Sequence, residues 1–147
     1  MQGFQSIADE LAPSFSAGSD TPMGSAASLA LDLLETRKKE YQDNGIEYFQ
    51  PWLVLITDGA PTDSWTSAAQ RVSNLANNKK LTVFAIGVDG CNLEVLAHFS
   101  PKRAPIMLKG LNFQEFFQWL SQSVTVTSHS RPGEAINLPD TKGWGTL

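Results

Sequence analysis

The chain has 147 residues, a formal net charge of −4 and 18% charged residues, which suits one compact domain with its own hydrophobic core. Its 41% hydrophobic content excludes a disordered chain, no apolar run is long enough to span a membrane, and the acidic balance gives no reason to expect nucleic acid as a partner. The single cysteine, Cys91, excludes an internal disulfide, and the first residues show no secretory signal, so we expect a cytoplasmic protein.

The first predicted element is a helix that begins at Thr21-Pro22, with Thr21 as its N-cap and Pro22 in its first turn. Residues 1–20 before it have mixed polarity and end in a loop that Gly24 helps to shape. The helix is expected to end at Asn44-Gly45, after a charged, solvated stretch. Its apolar residues recur at helical spacing and predict the inner face: Met23, Ala26, Ala27, Ala30, Leu31 and Leu34.

The most apolar run of the chain, residues 52–57, ends on an acid and a glycine, Asp58-Gly59. Such a run is typical of a strand that is buried on both faces of a parallel sheet. Asp58 then falls at the carboxyl end of the strand, where ligands collect in open α/β sheets, and Gly59 allows a sharp turn. The Asp58 carboxylate can hold a hard cation there, or it can only organise its own turn or cap the next helix.

The middle of the chain alternates helix and strand. Asp63 or Ser64 can cap a helix over about 66–78, whose predicted inner face is Ala68, Ala69, Val72, Leu75 and Ala76. A second buried strand covers residues 81–88, and Asn92 caps a short helix after it. This alternation predicts an α/β fold with a parallel sheet.

The last predicted elements are a brief strand at 105–108, a helix that starts at Asn112, and a polar tail from Ser128 onward. The tail is expected to be extended and to pack weakly through Trp144. An apolar stripe of the last helix is interpreted as core: Phe113, Phe116, Phe117, Leu120 and Val124.

Two loops, 18–24 and 57–63, resemble loops of the von Willebrand factor A (vWA) family, whose metal-ion-dependent adhesion site (MIDAS) is built from three loops. Thr21 matches the threonine of the second loop and Asp58 the aspartate of the third. Stretches 20–24, 108–113 and 130–134 are similar to those of a bacterial branch associated with tellurium resistance and stress response. The resemblance implies a Rossmann-like three-layer sandwich with a parallel central sheet.

The resemblance also implies a function, which is protein binding through a metal ion held by Thr21 and Asp58. Mg²⁺, with Mn²⁺ or Ca²⁺ as alternatives, would keep positive charge and an open position there, which an acidic side chain of a protein partner can fill. Asp20 is interpreted first as a loop acid. For Thr21 itself, an ordinary role as a helix cap stays open beside the role of ligand.

One family motif, the Asp-x-Ser-x-Ser loop, has no copy in this sequence. We therefore expect an N-terminally truncated domain, with a lead-in at 1–16, a partial vWA domain at 17–127 and the tail at 128–147. Metal binding should be weakened or absent. The strand at 53–56 should present an open edge, which can pair with a second copy of the chain.

The rival hypothesis is a metal-dependent hydrolase or phosphatase that uses Asp58. Such an enzyme needs a nucleophile, a base and further metal ligands within reach. The two histidines, His98 and His129, are far apart in sequence and show no metal-ligand spacing, so a protein that is not an enzyme is favoured. A chain without independent activity is the third possibility.

Overall fold

A computed structural model of the protein describes Gly18 and residues 20–146. The lead-in predicted for residues 1–16 therefore lies outside the described residues. In chain order the elements are α1 (Met23–Asp43), β1 (Trp52–Thr57), α2 (Thr66–Asn77), β2 (Thr82–Gly87), α3 (Leu93–Phe99), β3 (Ile106–Leu108), α4 (Phe113–Ser128) and β4 (Gly145–Thr146).

The strands form one sheet in the order β1-β2-β3-β4. β1 and β2 pair in parallel from Trp52 opposite Thr82 to Thr57 opposite Gly87, and β3 pairs in parallel with β2. The predicted parallel sheet is thus confirmed for three strands, whose carboxyl ends share one rim. β4 differs because it pairs antiparallel with β3.

Two hydrophobic cores lie on opposite faces of the sheet, because successive side chains of a strand point to opposite faces. Val83 and Ala85 of β2 pack with α1, α2 and α3, whereas Phe84 and Ile86 pack with α4. The α/β fold with helices on both faces of the sheet, a three-layer sandwich, is therefore confirmed.

The tail is more firmly packed than its sequence indicates. Trp144 is only 2% exposed and lies between α4 and the sheet, 5.0 Å from Phe116 and 5.1 Å from Trp119 between ring centroids. The prediction of weak packing is wrong, because this one large side chain completes the second core and brings β4 to the sheet.

The buried stripe of α4 also differs from the prediction. Phe116, Trp119 and Ser123 are buried, while Phe117 is 54% and Val124 51% exposed. The expected stripe ran through the phenylalanines, but the buried face follows the spacing 116, 119 and 123, which is helical. Trp119 replaces Phe117 in the core and donates a hydrogen bond from Nε1 to the Pro139 carbonyl oxygen at 2.9 Å.

Candidate metal-binding site

The start of α1 and the carboxyl end of β1 enclose an open cavity of about 290 Å³. Thr21, Asp58 and Asp20 supply its charged and hydroxyl groups at the surface, and apolar side chains of α1 and β1 supply much of the remaining wall. The Thr21 Oγ1 atom lies 3.4 Å from the position that a Cβ atom on Gly59 would occupy. The structure thus brings the two sequence-predicted ligands, Thr21 and Asp58, to one cavity.

Thr21 is held there by its backbone. Its N–H donates to Thr62 Oγ1 at 3.0 Å, and its carbonyl oxygen accepts from the Thr62 N–H at 2.9 Å. The N-cap of α1 is Pro22, one residue later than predicted, and no side chain of that residue caps the helix. Among the residues that the structure describes, the Thr21 hydroxyl forms no hydrogen bond, so the expectation that it caps α1 is wrong and its oxygen is open to a ligand.

Asp63, predicted to cap α2, holds α1 instead. Its Oδ1 accepts from the Gly24 N–H at 2.9 Å, and its Oδ2 accepts from the Ser25 N–H at 2.7 Å and from Ser25 Oγ at 2.8 Å. These donors, the backbone N–H of Gly24 first, lower the pKa of Asp63, because they favour the charged carboxylate. α2 begins after Trp65 without a side-chain cap. Asp63 therefore ties the loop that follows β1 to the first turn of α1.

Gly24 is the other half of this junction. A Cβ atom at this position would fall against the carbonyl oxygen of Ser64 and 2.7 Å from the Cα atom of Trp65. Both of these are backbone atoms that cannot rotate away. Glycine is thus required for the close approach of α1 to residues 63–65, a role that the sequence analysis missed when it gave Gly24 only a part in shaping the loop.

The turn after β1 does not use the Asp58 side chain for its hydrogen bonds. The Thr57 hydroxyl closes the turn, since it accepts from the Gly59 N–H and approaches the Gly59 carbonyl oxygen, both at 3.3 Å. The Asp58 side chain is exposed, and within the described part of the chain its carboxylate accepts no hydrogen bond. Thr57, rather than the Asp58 carboxylate, organises the turn.

The oxygen ligands at this cavity match the chemistry of a hard cation in type but not in number. Oxygen from a carboxylate and a hydroxyl suits Mg²⁺, which usually keeps several waters and takes only one or two carboxylates from protein. Across Gly18 and residues 20–146, no group of three or more His, Cys, Asp or Glu side chains could hold a metal. The oxygens present therefore fit a largely hydrated Mg²⁺, and they do not form a closed cage.

The histidines lie away from this cavity. His98 packs in α3 with its ring centroid 5.3 Å from that of Trp65, and His129 follows the end of α4. The described lining of the cavity contains no histidine, cysteine or lysine, so it offers no general base besides carboxylate.

The protein is an α/β domain whose sheet is covered by helices. Oxygen ligands lie where its first described strand ends, so the candidate binding site is at the carboxyl rim of the sheet. The model of the von Willebrand factor type A domain family matches residues 1–116, and the chain belongs to that family. Searches of curated proteins and of solved structures each gave no match. None of the described helices has the length and apolar character needed to cross a membrane.

Proposed function

We propose that this chain is a protein-interaction module of the MIDAS type, in which Thr21 and Asp58 hold a divalent cation that an acidic side chain of a partner completes. Membership of the vWA family supports a role in protein interaction. The observation that carries the metal proposal is the placement of the Thr21 hydroxyl and the Asp58 carboxylate on one cavity, each without a hydrogen-bond partner among the described side chains.

The charge balance explains why such a site would bind an acidic partner. One carboxylate neutralises only half of the charge of Mg²⁺, and a threonine hydroxyl neutralises none. The ion keeps a positive charge and exchangeable waters, so a carboxylate from outside can replace a water. The sequence contains no Asp-x-Ser-x-Ser loop, so we expect weak affinity for the ion unless another chain supplies carboxylates.

The cellular setting is also part of the proposal. The resemblance of stretches 20–24, 108–113 and 130–134 supports a bacterial protein of the tellurium-resistance type, and the single cysteine supports a cytoplasmic location. The division into a vWA domain at 17–127 and a polar tail at 128–147 rests on the same resemblance.

The metal proposal is tested by titration with Mn²⁺, because electron paramagnetic resonance measures the concentration of the free ion directly. We expect weak binding by the wild type, a loss of about tenfold or more in Asp58→Asn, and a smaller loss in Thr21→Val, which removes only a neutral ligand. Asp89→Asn is the matched control because Asp89 also follows a strand end. Absence of Mn²⁺ binding, or equal losses in Asp58→Asn and Asp89→Asn, would reject the site. Metal-dependent turnover of a phosphate ester that Asp58→Ala abolishes would favour the hydrolase.

A second part of the proposal concerns β1. The Pro51 carbonyl oxygen accepts from Thr82 N–H and the Thr57 carbonyl oxygen from Val88 N–H, both at 2.9 Å. Since peptide groups alternate along a strand, the N–H and C=O groups of residues 52, 54 and 56 point away from β2. In the described sheet β1 pairs on one side only. We propose that this edge accepts a strand from a second copy of the chain.

Sedimentation over a range of concentrations tests the pairing of β1. Ile56 is 41% exposed, and Ile56→Lys places a charge on the strand that discourages pairing. We expect the wild type to self-associate and Ile56→Lys to be monomeric. A wild type that stays monomeric at high concentration would contradict the proposal.

A further inference from the structure

The rim of the sheet where the strands begin is basic, although the chain as a whole is acidic. Lys79 and Lys80 come just before β2, and Lys102 and Arg103 come just before β3. Because β2 and β3 are parallel, both of these segments lie at the same rim, opposite to the rim of Asp58. The tail adds Arg131, which lines a cavity together with Arg103.

Two cavities open on this basic rim and share part of their lining. The first, of about 220 Å³, is lined by Arg103 and Arg131 among others, and the second, of about 270 Å³, by Lys79, Lys102 and Arg103. Arg103 lines both cavities, as do Gln50 and Thr82. The two cavities are therefore neighbours that meet at these shared residues, and we call them together the basic groove.

The basic groove has four cations in its described lining, Lys79, Lys102, Arg103 and Arg131. Salt bridges elsewhere engage Arg37, Lys39, Arg71 and Lys142. In the described part of the chain, none of the four groove cations forms one. Glu134, an acid among the described residues that line the groove, accepts from the backbone N–H of Arg131 at 3.0 Å and forms no salt bridge with the Arg131 guanidinium.

Arg103 is positioned by an aromatic ring. Its guanidinium carbon lies over the ring of Phe84, 5.3 Å from the ring centroid, a distance at which a cation is attracted to the face of an aromatic side chain. This contact leaves the hydrogen-bond donors of the guanidinium without a carboxylate. A guanidinium matches carboxylate or phosphate in a bidentate geometry, so the groove is suited to an anion.

The groove also has an apolar wall, which favours a ligand with apolar groups over a small inorganic anion. Phe49, Trp52, Ile136 and Leu138 line the first cavity beside the two arginines. A small inorganic anion would contact the cations and leave this wall unused. A peptide that carries both carboxylates and apolar side chains would use both, as interface anchors usually do.

We propose that the basic groove binds an acidic peptide segment of a protein partner whose glutamates or aspartates alternate with apolar residues. Its carboxylates pair with Arg103, Arg131 and the lysines, and its apolar side chains pack on the wall of Phe49 and Trp52. This site needs no metal and lies away from Thr21 and Asp58, so it is independent of the proposed MIDAS-type function.

The probe is a fluorescein-labelled synthetic peptide in which glutamates alternate with phenylalanine and leucine, measured by fluorescence anisotropy. We expect saturable binding that weakens with salt, survives EDTA and is unchanged in Asp58→Asn. Arg103→Gln and Arg131→Gln should each weaken binding by about tenfold, because each leaves a carboxylate of the peptide without its charged partner. Lys39→Gln is the matched control, since it removes one positive charge from an exposed position on α1, outside the groove.

Several results would overturn the proposal. Equal binding of a peptide with glutamine in place of glutamate would show that charge does not matter. Equal loss in Lys39→Gln would show only a general charge effect. Binding of inorganic tripolyphosphate in the groove without binding of the peptide would assign it to phosphate instead. Arg103 and Arg131 are exposed, so thermal unfolding should show both variants folded.

Discussion

Replacing Gly24 by alanine sets two physical effects against each other. Alanine in a helix is favoured over glycine by up to about 1 kcal/mol, so helix propensity alone predicts a more stable protein. At this position, however, the new methyl group would meet the Ser64 carbonyl oxygen and lie 2.7 Å from Trp65 Cα. Neither atom can move without displacing the loop that carries Asp63.

Overpacking of this kind usually destabilises a protein by about 1–3 kcal/mol, which exceeds the gain in propensity. We therefore expect Gly24→Ala to lower the free energy of unfolding by about 1–2 kcal/mol, and the Tm by about 2–8 °C for a domain of this size. Urea unfolding followed by circular dichroism measures the first quantity and calorimetry the second. Gly18→Ala is the matched control, since a Cβ atom there has no heavy atom within 4 Å, and it should change stability by less than about 0.5 kcal/mol.

The same variant tests the link between this junction and the cavity. Moving α1 away from residues 63–65 should also move Thr21, which is bonded to Thr62 on the same loop. We expect weaker Mn²⁺ binding in Gly24→Ala than in Gly18→Ala. If Gly24→Ala has a Tm equal to or above that of the wild type, α1 does not approach residues 63–65 this closely, and helix propensity alone determines the stability of the variant.

Two further predictions concern acid stability and the tail. The pKa of Asp63 is lowered from 3.8, so the folded protein binds a proton on this carboxylate less readily than the unfolded chain does. The wild type should therefore be more stable than Asp63→Asn near neutral pH, and this difference should shrink as the pH falls below 3.8. Urea unfolding of both proteins over a range of pH measures the difference. A stability difference between these two proteins that stays constant with pH would show that the charge of the Asp63 carboxylate does not stabilise the fold. Trp119→Phe removes the hydrogen bond to Pro139, so it should destabilise the protein by about 1 kcal/mol and speed tryptic cleavage of the tail at Lys142. Phe117→Leu, at a 54% exposed position, should change neither. Equal cleavage rates in Trp119→Phe and wild type would show that this bond does not hold the tail.

Local signals of the sequence were enough for most of the fold. β1 has the predicted bounds, Trp52–Thr57, because an apolar run between Pro51 and Asp58-Gly59 carries its own start and stop. Asn92 caps α3 as predicted, with its Oδ1 atom accepting from the Val95 N–H at 3.1 Å. A strand and a side-chain cap of this kind depend on neighbours along the chain, which a sequence displays directly.

The errors came from contacts between distant residues. Asp63 caps a helix that starts 40 residues earlier, at Met23, and nothing near Asp63 in the sequence distinguishes this from a cap of α2. β4 contains only Gly145 and Thr146, too few to show a period of two, and its position follows from the burial of Trp144. Likewise, the requirement for glycine at position 24 depends on backbone atoms of residues 64 and 65.

The position of the candidate site could be predicted from the sequence, but the hydrogen bonds that hold its residues in place could not. That Asp58 follows a buried strand and Thr21 precedes a helix can be read from the sequence. The bonds that hold Thr21 in place come from Thr62, and no local pattern indicates them. The role of the two side chains as metal ligands stays a prediction.

The burial of Trp144 has a consequence for biosynthesis. The core beneath α1, α2 and α3 is complete once Phe99 has left the ribosome, whereas the opposite core needs Trp144, which follows 45 residues later. At translation rates of about 5–20 residues per second, the second core therefore stays incomplete for about two to nine seconds after the first, and the face of Phe84 and Ile86 is covered in stages, first by α4 and then by Trp144. Chaperones that recognise exposed apolar strands would have that interval in which to engage it.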